Sequence, residues 1–130
     1  MGNKFKLSTR SLDNLKGVHP DLVAVMHRAI LITPIDYCII EGVRAIERQE
    51  MLVKTGASTT MNSRHLTGHA IDAVPFVGGE ISWHWPHYYA LEPYIKEAGR
   101  QLGVPLEWGG DWKTFPDAPH WQLPWKEYPA

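Results

Sequence analysis

The stretch SRHLTGHAID, residues 63–72, places two histidines and an aspartate around a glycine. Gly68 permits a bend, and small Ala70 shares a strand face with Asp72 because side chains alternate along a strand. His65 and Asp72 are too far apart in sequence to be neighbours on one helical face. They can converge if His65 lies in a loop and Asp72 in the strand that follows. The pattern therefore indicates either a metal site or an ordinary polar loop at a loop-to-strand junction.

Helical patterns occur on both sides of this junction. Capping residues, apolar spacing and terminal glycines predict helices in STRSLDNLKG (8–17), HPDLVAVMHRAI (19–30) and AIERQEMLVKTG (45–56). The longest helical candidate is WPHYYALEPYIKEAGRQLG (85–103). Because Pro93 removes a helical N–H donor, we expect its regular part to begin near Glu92.

Strand patterns are short and separated by these helices. β-branched and aromatic residues predict strands in IDYCIIEGV (35–43) and GHAIDAVPF (68–76), the second broken by Pro75. PLEWGG (105–110) and PHWQLPW (119–125) predict two short strands near the end of the chain. Helices segregated from a small, antiparallel sheet predict an α+β fold with the helices packed to one side.

Composition favours one globular domain spanning residues 1–130. The formal net charge is −1 with 44% hydrophobic residues, so no broad basic surface for nucleic acid is expected. Cys38 is the one cysteine, which excludes an internal disulfide, and we expect a buried strand thiol. The sequence has no apolar run near the roughly 20 residues of a membrane span and no signal-peptide pattern. We therefore expect a soluble monomer without an export signal or membrane anchor.

A catalytic zinc site needs three protein ligands and an open position, so His65 and Asp72 require a third partner. His120, in DAPHWQ, is the best candidate. Asp117 is then the natural general base for a zinc-activated water, and Arg44 is a candidate cation for the developing oxyanion. From the residues alone, an ordinary polar loop with solvated histidines stays an open alternative.

The other histidines and acidic residues favour simpler interpretations. His69 alternates away from Asp72 and is expected to pack nearby without ligating a metal. His84 and His87, in SWHWPH, have the spacing of a metal pair, but the aromatic context favours a loop at the rim of a cleft. Asp111 stands in a glycine-rich segment with too few carboxylates to predict a regulatory cation such as calcium.

Two separated motifs add a family resemblance. The pattern S-x-H-x-x-G-x-A-x-D is complete in residues 63–72, and D-x-x-H-W follows at 117–121. Together they resemble the zinc peptidases of peptidoglycan stem peptides, which include D-Ala-D-Ala carboxypeptidases and dipeptidases and share a core with lysostaphin-type enzymes and the hedgehog domain. The segments FKLSTRSLDNLKGVHPDL, EGVRAIERQ and WGGDW look similar to the L-alanyl-D-glutamate peptidases used by bacteriophages as endolysins.

The resemblance implies a role for each matching residue. His65, Asp72 and His120 would bind one catalytic Zn²⁺, and Asp117 would be the catalytic base. Arg44 would polarise the scissile carbonyl. The resemblance further implies that two residues would assist around the substrate, Ser63 and Gln49.

The implied activity is a bacteriolytic endopeptidase that cleaves the L-Ala–D-Glu bond of the stem peptide. Such an enzyme would accumulate in the host cytoplasm and reach the wall once the inner membrane is permeabilised. A D,D-carboxypeptidase or dipeptidase on D-Ala-D-Ala is the alternative enzyme. A non-catalytic binding module with a structural zinc is the alternative from another class, and the presence of Asp117 argues against it because a structural site needs no base.

Overall fold

The computed structural model describes residues 4–58 and 60–129, and all structural statements below refer to these residues. Along the chain, the α-helices are α1 (Thr9–Asn14), α2 (Pro20–Ile32), α3 (Ile46–Lys54) and α4 (Trp85–Leu102). The β-strands are β1 (Tyr37–Glu41), β2 (Ala70–Val77), β3 (Glu80–Ile81), β4 (Glu107–Trp108) and β5 (His120–Gln122). Two 3₁₀ turns, Arg64–Thr67 and Gly109–Asp111, precede β2 and follow β4. The predicted α+β class is confirmed.

All strand pairs are antiparallel, in the order β1-β2-β5-β4, with β3 paired to the far end of β2. The register sets Asp72 opposite Glu41 on one side and opposite His120 on the other. Because side chains alternate along strands, these three polar residues share one face of the sheet. The next pair along, Ile71 and Trp121, points to the opposite face.

That opposite face carries the hydrophobic core. Ile71 and Trp121 are almost fully buried, together with the predicted apolar stripe of α2. The indole rings of Trp108 and Trp121 stack with centroids 5.7 Å apart. Helices α2 and α4 pack against each other over this face. Cys38 is half-buried in β1 rather than fully enclosed. No helix in the described part of the chain is long and apolar enough to cross a membrane.

The predicted break of the second strand at Pro75 is wrong, because β2 continues to Val77. Pro75 is paired with Tyr37 of β1, and its carbonyl accepts a hydrogen bond from the Ser82 N–H. On its other edge, β2 pairs with β5 only as far as Asp72 and with β3 only from Phe76. Pro75 thus lies in the gap between these two partner strands. No strand hydrogen bond is lost there, although proline has no N–H to donate.

The predicted late start of the last helix is also wrong, since α4 begins at Trp85 and runs through Pro93. Pro86 occupies the first turn, where a missing N–H costs nothing. Pro93 lies on the exposed side of the helix, so the carbonyl left without a helical donor can be hydrated. Leu91, Ile95 and Ala98 form the buried stripe, whereas Leu102 is exposed.

Two buried tyrosines give a test of the core. The Tyr37 hydroxyl donates a hydrogen bond of 2.6 Å to the Met26 carbonyl, whereas the Tyr88 hydroxyl has no partner among the described residues. A hydrogen bond contributes about 1 kcal/mol to stability, and an unsatisfied buried group costs about 1–3 kcal/mol. We therefore expect Tyr37→Phe to lower the free energy of unfolding in urea by about 1 kcal/mol, and Tyr88→Phe to raise it by about 1 kcal/mol.

The same urea unfolding, repeated at increasing pH in the alkaline range, is the control. Burial, with the charges of Asp72 and Asp117, raises the pKa of Tyr88 from 10.0 to about 12. The contribution of the neutral phenol is therefore complete below pH 10.0 and is lost as the pH rises towards 12. Tyr88→Phe should weaken this alkaline loss, and an equal loss of stability in both variants at neutral pH would contradict the assignment.

Candidate metal centre

Three potential metal ligands converge on the polar face of the sheet. The three residues are His65, Asp72 and His120, and each offers one ligand atom that lies within 4.8 Å of the other two. Among the described residues, this is the group of three side chains that could hold a metal ion. The His65 Nε2 atom is 3.2 Å from Asp72 Oδ1, and the His120 Nδ1 atom is 3.7 Å from the same oxygen. The two imidazole rings meet edge to face with centroids 5.0 Å apart. These residues form the floor of a cleft of about 530 Å³.

The turn before β2 sets the position of His65. The Ser63 hydroxyl oxygen accepts a hydrogen bond from the His65 N–H and caps the 3₁₀ turn. Gly68 provides the predicted bend, and it ends the turn in the left-handed conformation with φ of 77°. A Cβ atom there would also lie 2.6 Å from the Gly17 carbonyl oxygen, so glycine is required twice over.

A backbone carbonyl fixes the orientation of the His65 ring. The His65 Nδ1 atom is 2.9 Å from the Gly42 carbonyl oxygen, which can only accept, so Nδ1 carries the hydrogen. The Nε2 lone pair then points towards Asp72. A Cβ atom on Gly42 would lie 1.9 Å from the Asn14 carbonyl oxygen, so only glycine allows this approach.

His120 is held in a complementary way at the start of β5. Its Nε2 atom is 2.7 Å from the Gln122 Oε1 atom, and its Nδ1 atom faces the carboxylates of Asp72 and Asp117. Both His120 and Gln122 are about 5% exposed. Each imidazole therefore keeps one ring nitrogen for the protein and presents the other at the point of convergence.

Asp117 approaches the same point from the loop before β5. One of its carboxylate oxygens is 4.0 Å from His120 Nδ1. The Asp117 N–H donates to the Gly109 carbonyl oxygen at 2.9 Å, and the His120 N–H donates to the Asp117 carbonyl oxygen at 3.2 Å. A Cβ atom on Gly109 would lie 2.4 Å from that Asp117 carbonyl oxygen. Glycine at this position thus allows the loop that carries Asp117 to pack against the end of β4.

Arg44 lies on the opposite side of the centre, before α3. Its Nε atom donates to Glu41 Oε1 at 2.5 Å and its Nη1 atom donates to Gln49 Oε1 at 2.7 Å. The remaining nitrogen, Nη2, is 3.8 Å from Asp72 Oδ2. Two of its three nitrogens are thus fixed by the protein, and the third faces the site.

The two residues expected to assist around the substrate differ in exposure. Ser63 lines the cleft, and its hydroxyl hydrogen is not needed for the cap. Gln49 is fully buried, and its amide donates to the Ser58 hydroxyl at 2.9 Å and to the Thr60 carbonyl at 2.5 Å while accepting from Arg44. Contact of Gln49 with the substrate stays a prediction, but these bonds indicate that it acts through Arg44.

The charges of the centre favour a bound cation. Burial alone would raise the pKa of Asp72, but the adjacent imidazoles of His120 and His65 hold it well below its ordinary value. Burial and the charge of Asp72 raise the pKa of Asp117 above its ordinary value. Burial lowers the pKa of His120, yet the nearby Asp72 carboxylate and the hydrogen bond to Gln122 raise it overall. The two carboxylates thus favour positive charge on the His120 ring, beside the place where a cation would bind.

The donor set fits zinc. Two imidazole nitrogens and one carboxylate oxygen are ligands that catalytic zinc sites use, and three protein ligands leave a position open. The second ring nitrogen of each histidine is already bonded, as metal-ligating histidines require. The residues predicted from the sequence, His65, Asp72 and His120, are therefore brought together by the fold in a form that suits the ion.

Other predicted features lie outside this centre. The His84 and His87 rings are 5.2 Å apart, but His87 Nδ1 bonds the Ser82 hydroxyl at 2.6 Å, and no third ligand joins them within residues 4–58 and 60–129. Asp111 is exposed and pairs with Lys96 at 2.8 Å, and it belongs to no group of three potential ligands in the described part of the chain. Exposed aromatic side chains at the cleft are Trp83, Trp125 and Phe115.

Sequence reasoning missed three residues that shape the site. Gln122 could have been found, because a residue two positions after His120 on a strand shares its face. Gly42 and Gly109 had no signal in a single sequence. Their role depends on close approach between segments that are distant along the chain.

Comparisons with known proteins find relatives in sequence and in fold. A profile of the family described as phage L-alanyl-D-glutamate peptidase matches residues 3–122, which include the three potential ligands and Asp117. The L-alanyl-D-glutamate peptidase of Escherichia phage T5 is 32% identical over 117 residues, covering 87% of this chain and 85% of that protein. Peptidoglycan L-alanyl-D-glutamate endopeptidase CwlK of Bacillus subtilis is 34% identical over 104 residues, covering 68% of this chain and 61% of that protein.

A solved structure extends the likeness to the whole fold. The crystal structure of Serratia marcescens L-Ala D-Glu endopeptidase ChiX has a TM-score of 0.92 and 43% sequence identity with this chain. The match covers 98% of this chain and 96% of that one.

Proposed function

This chain belongs to the phage L-alanyl-D-glutamate peptidase family, and we propose that it hydrolyses the L-Ala–D-Glu bond of the peptidoglycan stem peptide at one zinc ion. The family resemblance seen in the sequence is thereby confirmed. The observation that carries the proposal is the convergence of His65, Asp72 and His120 within 4.8 Å on the floor of the cleft. Asp117 stands beside these ligands without belonging to the group.

The site residues divide the work of amide hydrolysis. Zinc bound by His65, Asp72 and His120 would supply a Lewis acid and lower the pKa of a coordinated water. Asp117 takes the proton of the attacking water and returns it to the departing amine, a task favoured by the raised pKa of its half-buried carboxyl group. Since its other nitrogens are held, Arg44 offers Nη2 to the carbonyl oxygen as negative charge develops there.

Two further residues support these groups. Ser63 caps the turn that carries His65 and lines the cleft, and its hydroxyl hydrogen, which the cap does not use, can donate to the peptide. Gln49 holds the Arg44 guanidinium by its carboxamide oxygen. The chain would act as a single domain and as a monomer on the cell wall, which it reaches after the host membrane is permeabilised.

The reaction is tested by incubating purified peptidoglycan with the zinc-loaded protein and identifying the new amino termini. We expect D-glutamate amino groups to appear, because cleavage after L-alanine frees that amine. Release of D-alanine amino groups instead would support a D,D-carboxypeptidase. No new termini from any wall preparation, with zinc bound, would support a binding module.

A further inference from the structure

Gln122 is buried beside the proposed metal centre and has no role in the mechanism described above. We propose that it is a positioning residue, which fixes the His120 ring in the tautomer that presents Nδ1 to the metal. The proposal rests on the proposed zinc site and concerns a residue outside the ligand set. Its central observation is the 2.7 Å separation of His120 Nε2 and Gln122 Oε1.

The strand register explains why this contact forms. His120 and Gln122 are two residues apart in β5, so both side chains point to the cleft face. With Nε2 turned along the strand to Gln122, the His120 Nδ1 atom is left 3.7 Å from Asp72 and 4.0 Å from Asp117. A half-turn of the ring about its Cβ–Cγ bond would put a carbon in place of each nitrogen, so it would break the bond to Gln122 and leave no nitrogen facing the carboxylates.

The chemistry of the acceptor sets the tautomer. A carboxamide oxygen only accepts, so the nitrogen that faces it carries the hydrogen. A neutral imidazole has one N–H, and the other nitrogen then keeps its lone pair. Gln122 thus holds one N–H of His120 as the Gly42 carbonyl holds one N–H of His65, although the two rings are opposite tautomers. Unlike that backbone carbonyl, the side chain of Gln122 can be replaced.

Neighbouring strands hold Gln122 in place. Its cross-strand partners are Ala70 in β2 and Glu107 in β4. The single methyl group of Ala70 leaves room on the cleft face for the longer carboxamide. On the other side, Glu107 accepts a hydrogen bond of 2.8 Å from the Trp112 indole N–H. Ala70, the alanine of the first motif, is therefore paired with Gln122, which orients His120 of the second motif.

The zinc dissociation constant, measured by competition with a chelator, tests the proposal directly. Loss of a partner that orients a ligand typically weakens metal binding by about 10–100-fold. We expect this loss for Gln122→Met, which keeps the side-chain length and removes the acceptor. Gln122→Glu keeps an acceptor and should bind zinc with an affinity close to that of the parent, without the loss of about 10-fold or more.

A matched control is Gln101→Met, on the exposed side of α4, where the glutamine contacts Arg28 and Glu97. Zinc affinity of this variant should equal that of the parent protein. If the parent protein itself binds no zinc, the proposed function fails. If the parent binds zinc and Gln122→Met binds it equally well, the role of Gln122 alone is overturned.

Nitrogen-15 NMR of the zinc-loaded parent protein identifies the His120 tautomer directly. This test needs no variant, so it holds even if Gln122→Met does not fold. We expect the His120 signals to show hydrogen on Nε2 and metal on Nδ1. Hydrogen on Nδ1 with metal on Nε2 would overturn the proposal. Equal weakening of zinc binding by Gln122→Met and Gln122→Glu would overturn it as well.

Discussion

Replacing Asp117 by alanine is expected to reduce peptidoglycan hydrolysis by about 10²–10⁴-fold, the usual contribution of a general acid–base group. Zinc affinity should change little, because Asp117 lies beside the ligand set of His65, Asp72 and His120 rather than in it. The rate is followed by the release of new amino groups from purified wall, and the zinc content is measured on the same samples.

Asp111→Ala is the control for this variant. Its carboxylate lies in the same region of the chain but is exposed and paired with Lys96 at 2.8 Å. Its hydrolysis rate should match that of the parent protein. Full activity in Asp117→Ala would show that Asp117 is not the base. Loss of zinc from this variant would show instead that Asp117 is a metal ligand.

Replacing His65 by alanine is expected to weaken zinc binding by about 10²–10³-fold and to stop hydrolysis when the variant holds no zinc. Structural zinc sites with four protein ligands bind zinc with about 10–16 kcal/mol, which is about 2.5–4 kcal/mol for each ligand. That loss corresponds to about 10²–10³-fold in affinity, since each factor of ten is about 1.4 kcal/mol. Equilibrium dialysis against buffered zinc measures the affinity, and wall hydrolysis is assayed on the same protein.

His69→Ala provides the matched comparison four residues away. The His69 ring bonds the Thr67 hydroxyl at 2.7 Å and lies outside the ligand group. This variant should retain zinc and activity. Removal of zinc from the parent by a chelator should stop hydrolysis, and added zinc should restore it. Zinc retention in His65→Ala together with zinc loss in His69→Ala would refute the assignment of ligands.

The part of the centre that holds His65 and Asp72 was predictable because its geometry is local and periodic. A bend at Gly68 and the alternation of β2 bring His65 and Asp72 together, and both signals are visible in the sequence. His120 joins these two residues only because β5 pairs with β2. The composition of the sequence suggested a strand at β5 but not its partner. The convergence itself is a property of the sheet register.

The errors have physical causes too. Proline was expected to end β2 at Pro75 and to delay α4 because of Pro93, yet each ring occupies a position where the lost N–H has no necessary partner. Whether a proline is tolerated there depends on which edge of β2 is paired and on which side of α4 is exposed to solvent. The buried role of Gln49 and the close approach at Gly42 likewise depend on contacts that a single sequence does not encode locally.

The pairing of Asp72 with His120 has a consequence for heat tolerance. An ion held by both residues would act as a reversible cross-link between β2 and β5, which are joined by a long stretch of chain. A site that exists only in the folded protein adds about 2.7 kcal/mol of stability when free ligand is a hundred times its dissociation constant. The melting temperature should therefore rise and fall with the free zinc of the surroundings, so that metal scarcity would shorten the working life of the enzyme as well as stop its chemistry.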